Sequence, residues 1–196
     1  MSKAVFTFGR MNPPTIGHEK LVNKLRAVAR AHKGDPLIYL SHKHSQPKDP
    51  LEYKDKIKLV KKAFGLIAKM SRANTIIKVL QELEKKYDEV VLVVGSDRVT
   101  DFRELLNKYN GKDYSFDTID VVSAGERDPD ADDVSGMSAS KMRTLAADGD
   151  IASFKTGLPR NLQRDADKIM KSVRKGLNYE QYHTTGYAGL RDSIGD

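Results

Sequence analysis

Between Glu89 and Gly95 the chain reads Val90-Val91-Leu92-Val93-Val94, an unbroken apolar run composed mostly of β-branched residues. A half-buried strand would alternate apolar and polar side chains, and this one does not. Burial on both faces is the simplest account. It is the signature of a parallel sheet whose crossover helices cover it above and below. The rest of the sequence is therefore read for strands alternating with helices.

That alternation begins at the first residues. Ala4-Val5-Phe6-Thr7-Phe8 is a short β-prone run stopped by Gly9. After a turn containing Asn12, Pro13 and Pro14, a helix starts near Gly17, with Leu21, Val22, Leu25, Val28 and Ala29 on one face. Gly34 is expected to end it, and Leu37-Ile38-Tyr39-Leu40 forms the next strand. Ser41 to Pro50 is polar and contains two prolines, so it reads as a loop. Helices are expected at about 51–64, 73–86 and 100–109, and a strand at 118–123. An acidic loop, 126–133, precedes a helix over 138–147. A last amphipathic helix carries Leu162, Ala166, Ile169, Met170 and Val173. This order implies right-handed crossovers and a doubly wound parallel sheet. Residues 178–196 have little periodicity and read either as a strap over the domain or as a flexible tail.

At 196 residues the chain fits one domain with a substantial core. No apolar run approaches the roughly 20 residues needed to cross a bilayer, so no membrane partner is expected. The first residues, MSKAVFTFGR, lack the basic and apolar regions of a secretory signal. With no cysteine, thiolate nucleophiles, disulfides and zinc-thiolate sites are excluded. The expected location is cytoplasmic, the host's cytoplasm if the chain is phage-encoded. The net charge of +7 has two readings: a nucleic-acid surface, or a polyphosphate pocket together with solvated lysines. The densest basic stretch, Lys54, Lys56, Lys58, Lys61 and Lys62, falls on a helix whose apolar positions are Ile57, Val60 and Phe64. Most of these lysines are expected on the outer face, which makes nucleic acid an unlikely partner.

In a doubly wound sheet, ligands bind beyond the carboxyl ends of the strands. Three unusual segments fall there: Gly9 to His18, Gly95 to Arg98 and Gly136 to Arg143. In the first, a strand ends and a helix opens at Thr15-Ile16-Gly17-His18. Free N–H groups at a helix start attract anions, and Gly17 permits close approach of a phosphate to the backbone. Thr15 and His18, three apart, can face the same phosphate oxygens, with His18 as a hydrogen-bond donor and not a nucleophile. A helix-capping Thr beside a surface His is the alternative. In the third segment Ser138 is a natural N-cap, and Ser140 and Arg143 share a helix face. Hydroxyls, N–H groups and a guanidinium fork can hold β- and γ-phosphates. Read alone, the same stretch fits a capped surface helix with an exposed Arg.

Taken together, the two segments resemble the paired signatures of the HxGH-type, cytidylyltransferase-like nucleotidyltransferase superfamily. The first signature, (His/Thr)-x-Gly-His, is matched by Thr15-Ile16-Gly17-His18. The second, Ser-(Ser/Thr/Gly)-(Ser/Thr)-x-x-Arg, is matched by Ser138-Ala139-Ser140-Lys141-Met142-Arg143 with Ala139 in the middle slot. The resemblance implies an α/β, Rossmann-like doubly wound parallel sheet over residues 1–158, with a C-terminal helical extension and tail over 159–196. It implies an enzyme that joins the α-phosphate of a nucleoside triphosphate to a small phosphorylated acceptor and releases pyrophosphate. His18, Thr15 and Arg143 would be catalytic. Phe8, Gly9, Arg10, Gly17, Met137, Ser138 and Ser140 would bind the nucleotide, with Mg2+ accompanying ATP or CTP. Gly9-Arg10 followed by Asn12-Pro13 is most similar to archaeal-type nicotinamide-nucleotide adenylyltransferases, with Met11 for Phe and Asn12 for Gln. ATP and nicotinamide mononucleotide are the substrates this implies. A cytidylyltransferase, another phosphate-acceptor adenylyltransferase and a non-catalytic nucleotide- or nucleic-acid-binding module are the alternatives.

Gly95-Ser96-Asp97-Arg98 follows the most buried strand. Gly95 permits close approach, and Asp97 would accept from a ribose hydroxyl or an acceptor amide; a helix N-cap by Ser96 or Asp97 fits equally. Lys43, with Lys48, makes the Ser41–Lys48 loop a mobile basic segment able to close over a phosphate. His42 and His44 lack the partners of a zinc site, so no protein metal ligands are assigned. Arg127, within the acidic stretch, would reach the acceptor's phosphate. A homo-oligomer is compatible with everything above.

Overall fold

The computed structural model describes residues 1–125 and 137–178. Four strands, β1 (Lys3–Gly9), β2 (Asp35–Leu40), β3 (Glu89–Val94) and β4 (Thr118–Ser123), form one parallel sheet in the order β2-β1-β3-β4. Helices α1 (Ile16–His32), α2 (Tyr53–Phe64), α3 (Ile76–Leu83), α4 (Val99–Tyr109), α5 (Ala139–Asp148), α6 (Ile151–Gly157) and α7 (Ala166–Gly176) cover it. Alternate strand residues feed two separate cores, as pleating requires. Val5, Ile38, Leu40, Val91 and Val93 pack with α1, α2, α5, α6 and α7. Phe6, Leu37, Tyr39, Val90, Leu92 and Val94 pack with α3 and α4. The uninterrupted valines of β3 are thus buried on both sides, and the fold is α/β, Rossmann-like and doubly wound.

From β1 the chain steps one way to β2, and later the other way to β3 and β4. The reversal lies between β1 and β3, so the crevice for a ligand opens at the ends of those strands. Several element ends differ from expectation. Helix α1 stops at His32 because Lys33 adopts the left-handed conformation, φ 52°, and closes the cap. Gly34 takes part in that cap, its N–H donating to the Ala29 carbonyl at 2.9 Å, and also serves close packing: a Cβ there would lie 2.9 Å from Val5 and 3.0 Å from the Lys3 carbonyl oxygen. Helix α6, capped by Asp150, is an element the sequence reading does not contain. Helix α7 follows a 3-10 turn, Arg160–Asp165, and buries Ile169, Met170 and Val173 in the core shared with α2 and α5. Among the described residues no helix is long and apolar enough to cross a membrane.

Candidate active site

The turn after β1 is built to hold its shape. Met11 takes a positive φ of 43° and buries its side chain, so packing offsets a backbone conformation that costs an L-residue about 1 kcal/mol. Asn12 is buried too. Its Nδ2 donates to the Leu51 carbonyl at 3.0 Å, and its Oδ1 accepts from the Leu51 N–H at 2.9 Å. The side chain thereby imitates a strand partner and ties the turn to the segment before α2. Above the turn, a Cβ built on Gly9 would meet no atom within 4 Å, so the end of β1 faces open space. Phe8 is half-buried against the second core, and Arg10 is exposed.

Helix α1 opens with a complete capping box. Thr15 Oγ1 accepts from the His18 N–H at 3.3 Å, and the Thr15 N–H donates to His18 Nδ1 at 3.0 Å. An Nδ1 that accepts a hydrogen bond carries no hydrogen, so in the neutral ring the proton belongs to Nε2. The capping Thr does not compete with a donor role for His18: the cap fixes the tautomer that leaves the proton on Nε2, where the ring can donate. Gly17 has a further role. A Cβ there would sit 3.0 Å from the Met137 carbonyl oxygen and 3.3 Å from Thr15 Oγ1. The missing side chain lets the start of α1 lie against the residue that leads into α5.

Helix α5 brings the second motif to the same place. Ser138 is its N-cap, accepting from the Lys141 N–H at 3.1 Å. Arg143 donates through one nitrogen to the Asn12 carbonyl at 3.0 Å and through the other to Ser140 Oγ at 2.9 Å. The guanidinium therefore ties the second motif to the turn that leads into the first, Asn12 and Arg143 being 131 residues apart in sequence. Burial, then the nearby Arg10 charge, push Arg143 below its ordinary value, while Asp49 opposes them. At the end of β3, a Cβ on Gly95 would lie 2.7 Å from Asp97 Oδ1, the tip of an exposed side chain that can move aside. Asp97 is exposed, and neither it nor Ser96 caps α4, whose N-cap is Arg98 without a side-chain bond. Lys43 is exposed in the loop after β2, and no described hydrogen bond or ion pair joins it to these groups. His42 accounts for itself structurally, stacked on Tyr53 at 3.8 Å and hydrogen-bonded to the Ser71 carbonyl at 2.9 Å. Arg127, with the rest of the acidic stretch, lies outside the described residues.

Two charged residues beneath the cleft escape the sequence reading. Lys56 is fully buried, and its Nζ donates to the Ser41 carbonyl at 2.8 Å. Burial lowers its pKa to about 8, Asp49 raises it and Arg10 lowers it further. Asp49 is also fully buried, with Oδ2 3.8 Å from the Arg10 guanidinium. The helical spacing of Tyr53, Lys56, Ile57, Val60, Ala63 and Phe64 contains the signal for Lys56, which falls on the apolar stripe. The other lysines of that helix are at least partly exposed.

This donor set of imidazole, guanidinium, hydroxyl and helix-start N–H groups suits phosphate. Among the described residues no group of three or more His, Asp or Glu gathers as a metal site. A divalent cation here would enter as the companion of a triphosphate, held mainly by the phosphates and water and not by the protein.

Residues 6–145 match the family described as cytidylyltransferase-like. A protein of Acholeplasma laidlawii (strain PG-8A), named as a nicotinate-nucleotide adenylyltransferase, is 23% identical over 185 residues, spanning 85% of this chain and 89% of that protein. Among solved structures, Plasmodium falciparum nicotinic acid mononucleotide adenylyltransferase complexed with NaAD gives a TM-score of 0.52 at 14% identity, covering 92% of this chain and 98% of that one. The same enzyme complexed with APC gives 0.51 at 13% identity with the same coverage. At these identities the structural likeness speaks for the fold.

Proposed function

The chain belongs to the cytidylyltransferase-like family and is a nucleotidyltransferase, and from that premise we propose that it transfers an adenylyl group from ATP to a pyridine mononucleotide, releasing pyrophosphate. The observation that carries this reading is the Arg143 guanidinium, which joins Ser140 of the second motif to the Asn12 carbonyl in the turn before the first. In the reaction an oxygen of the acceptor's phosphate attacks the α-phosphorus in line. The new P–O bond forms as the bond to the bridging oxygen breaks, and pyrophosphate leaves with that electron pair. Negative charge grows on the α-phosphate oxygens and on the leaving group. His18 Nε2–H donates to that charge, and the capping box holds the ring so that no reorganisation is needed as charge develops. Ser138, Ser140, Arg143 and the first N–H groups of α5 receive the β- and γ-phosphates. Thr15 and Gly17 set the approach of α1, while Phe8, Gly9, Arg10 and Met137 border the nucleotide. Gly95 and Asp97 at the end of β3 face the acceptor side, and Lys43 and Arg127 are proposed to meet acceptor phosphate. Magnesium supplies charge neutralisation on the triphosphate when bound.

Two acceptors compete within this reading. The Gly9-Arg10 loop is similar to that of nicotinamide-nucleotide enzymes, whereas the relatives' names speak for the nicotinate form. The test incubates the protein with magnesium, ATP or CTP, and each mononucleotide, and identifies the dinucleotide by mass. A product with ATP and either pyridine mononucleotide supports the reading and names the acceptor. Product with CTP alone, or with neither pyridine nucleotide, overturns it.

A further inference from the structure

Asp49 has no place yet in this account, and its surroundings are unusual. It is fully buried, and neither carboxylate oxygen has a hydrogen-bond donor among the described residues. Its backbone is fixed on both sides: Asp49 N–H donates to the Ser45 carbonyl at 2.6 Å, Ser45 N–H returns the bond at 3.1 Å, and Leu51 is held by Asn12. A rigidly delivered carboxylate without donors gains nothing from burial in itself. What surrounds it is cationic. The Arg10 guanidinium lies 3.8 Å away, and both Lys56 and Arg143 respond to the Asp49 charge. A carboxylate is an acceptor that repels phosphate, and this one is closed off from the cleft, so it cannot bind the nucleotide directly. Arg10 can do both: it is half-exposed at the end of β1, and its fork has donors to spare on the side away from Asp49.

We propose that Asp49 is a positioning residue that anchors one side of the Arg10 guanidinium and thereby presents the other side to the nucleotide's phosphates. The proposal rests on the cleft's being the phosphate site described above. The test measures magnesium-ATP dissociation constants by calorimetry, with steady-state kinetics alongside, for wild type, D49N, R10A and the double variant. In D49N the expected result is ATP bound about tenfold more weakly, a KM for ATP raised to match, and kcat within threefold of wild type. In the R10A background D49N is expected to add nothing, because its effect passes through Arg10. R10K, at an exposed position, keeps the charge but loses the fork, and is expected to weaken ATP to a similar degree even if D49N folds poorly. ATP binding within twofold of wild type in D49N or R10K, or an undiminished D49N effect in R10A, overturns the proposal. Wild type that binds ATP but consumes neither pyridine mononucleotide would sink the acceptor assignment and leave the Asp49 comparison readable. Wild type that binds no nucleoside triphosphate would overturn the phosphate site and this proposal together.

Discussion

At His18 the ring is oriented from within its own helix, through the Thr15 N–H on Nδ1 at 3.0 Å. The Nε2 donor and the cap oxygen can therefore be removed in separate variants. His18→Ala removes the donor and is expected to lower kcat by about 10²–10³-fold, the loss seen when one preorganised oxyanion donor is deleted. Thr15→Ala removes the cap oxygen while keeping the backbone N–H, and is expected to cost about 1 kcal/mol of stability with a smaller fall in kcat. Equal kcat losses in the two variants would mean that the ring does not act as the donor. Asn12 poses the complementary case. Asn12→Ala strands the N–H and C=O of Leu51 in a buried place, and a loss of about 2–4 kcal/mol in denaturant unfolding is expected.

The site depends on how closely the starts of α1 and α5 approach. Gly17→Ala puts a methyl group 3.0 Å from the Met137 carbonyl, so the helices must separate by a few tenths of an ångström. A stability loss of about 1–3 kcal/mol is expected, with ATP binding weakened; unchanged ATP affinity in the folded variant would show that the approach does not shape the cleft. Features contained within a single element were readable from sequence, whereas this contact of Gly17 with Met137 was not. Strand β4 spans the expected residues 118–123, β3 is buried on both faces as its valines require, and Ser138 caps α5 as its position suggests. The two motifs were legible because each is contained within a helix start. What was not legible depends on distant partners. Asn12 reads as a turn residue until Leu51, 39 residues on, is beside it. Lys56 reads as one more surface lysine until Ser41 and Asp49 close around it. Gly34 reads as a helix stop, but it is the nearness of β1 that requires it.

For the molecule as a whole, burying Lys56 links stability to pH. Its folded pKa of about 8 lies below its ordinary 10.5, so the unfolded chain holds that proton more tightly. The charged, buried form is therefore a cost below pH 8, and stability from this group rises with pH between 8 and 10.5. Above pH 10 the buried Tyr39 and Tyr114 phenols, pushed up chiefly by desolvation, act in the opposite sense. Chemical denaturation between pH 8 and 10 should show wild type gaining stability relative to Lys56→Met; parallel curves would contradict the buried-charge account. The larger claim is that the doubly wound sheet brings two helix starts to one triphosphate, where His18 donates to the α-phosphate as pyrophosphate departs. Its most direct measurement is pyrophosphate release with magnesium, ATP and the two pyridine mononucleotides, wild type beside His18→Ala. The account predicts one pyrophosphate per dinucleotide formed by wild type and release slowed at least a hundredfold in the folded variant. Release at the same rate from both proteins, or none from a wild type that binds ATP, would contradict it.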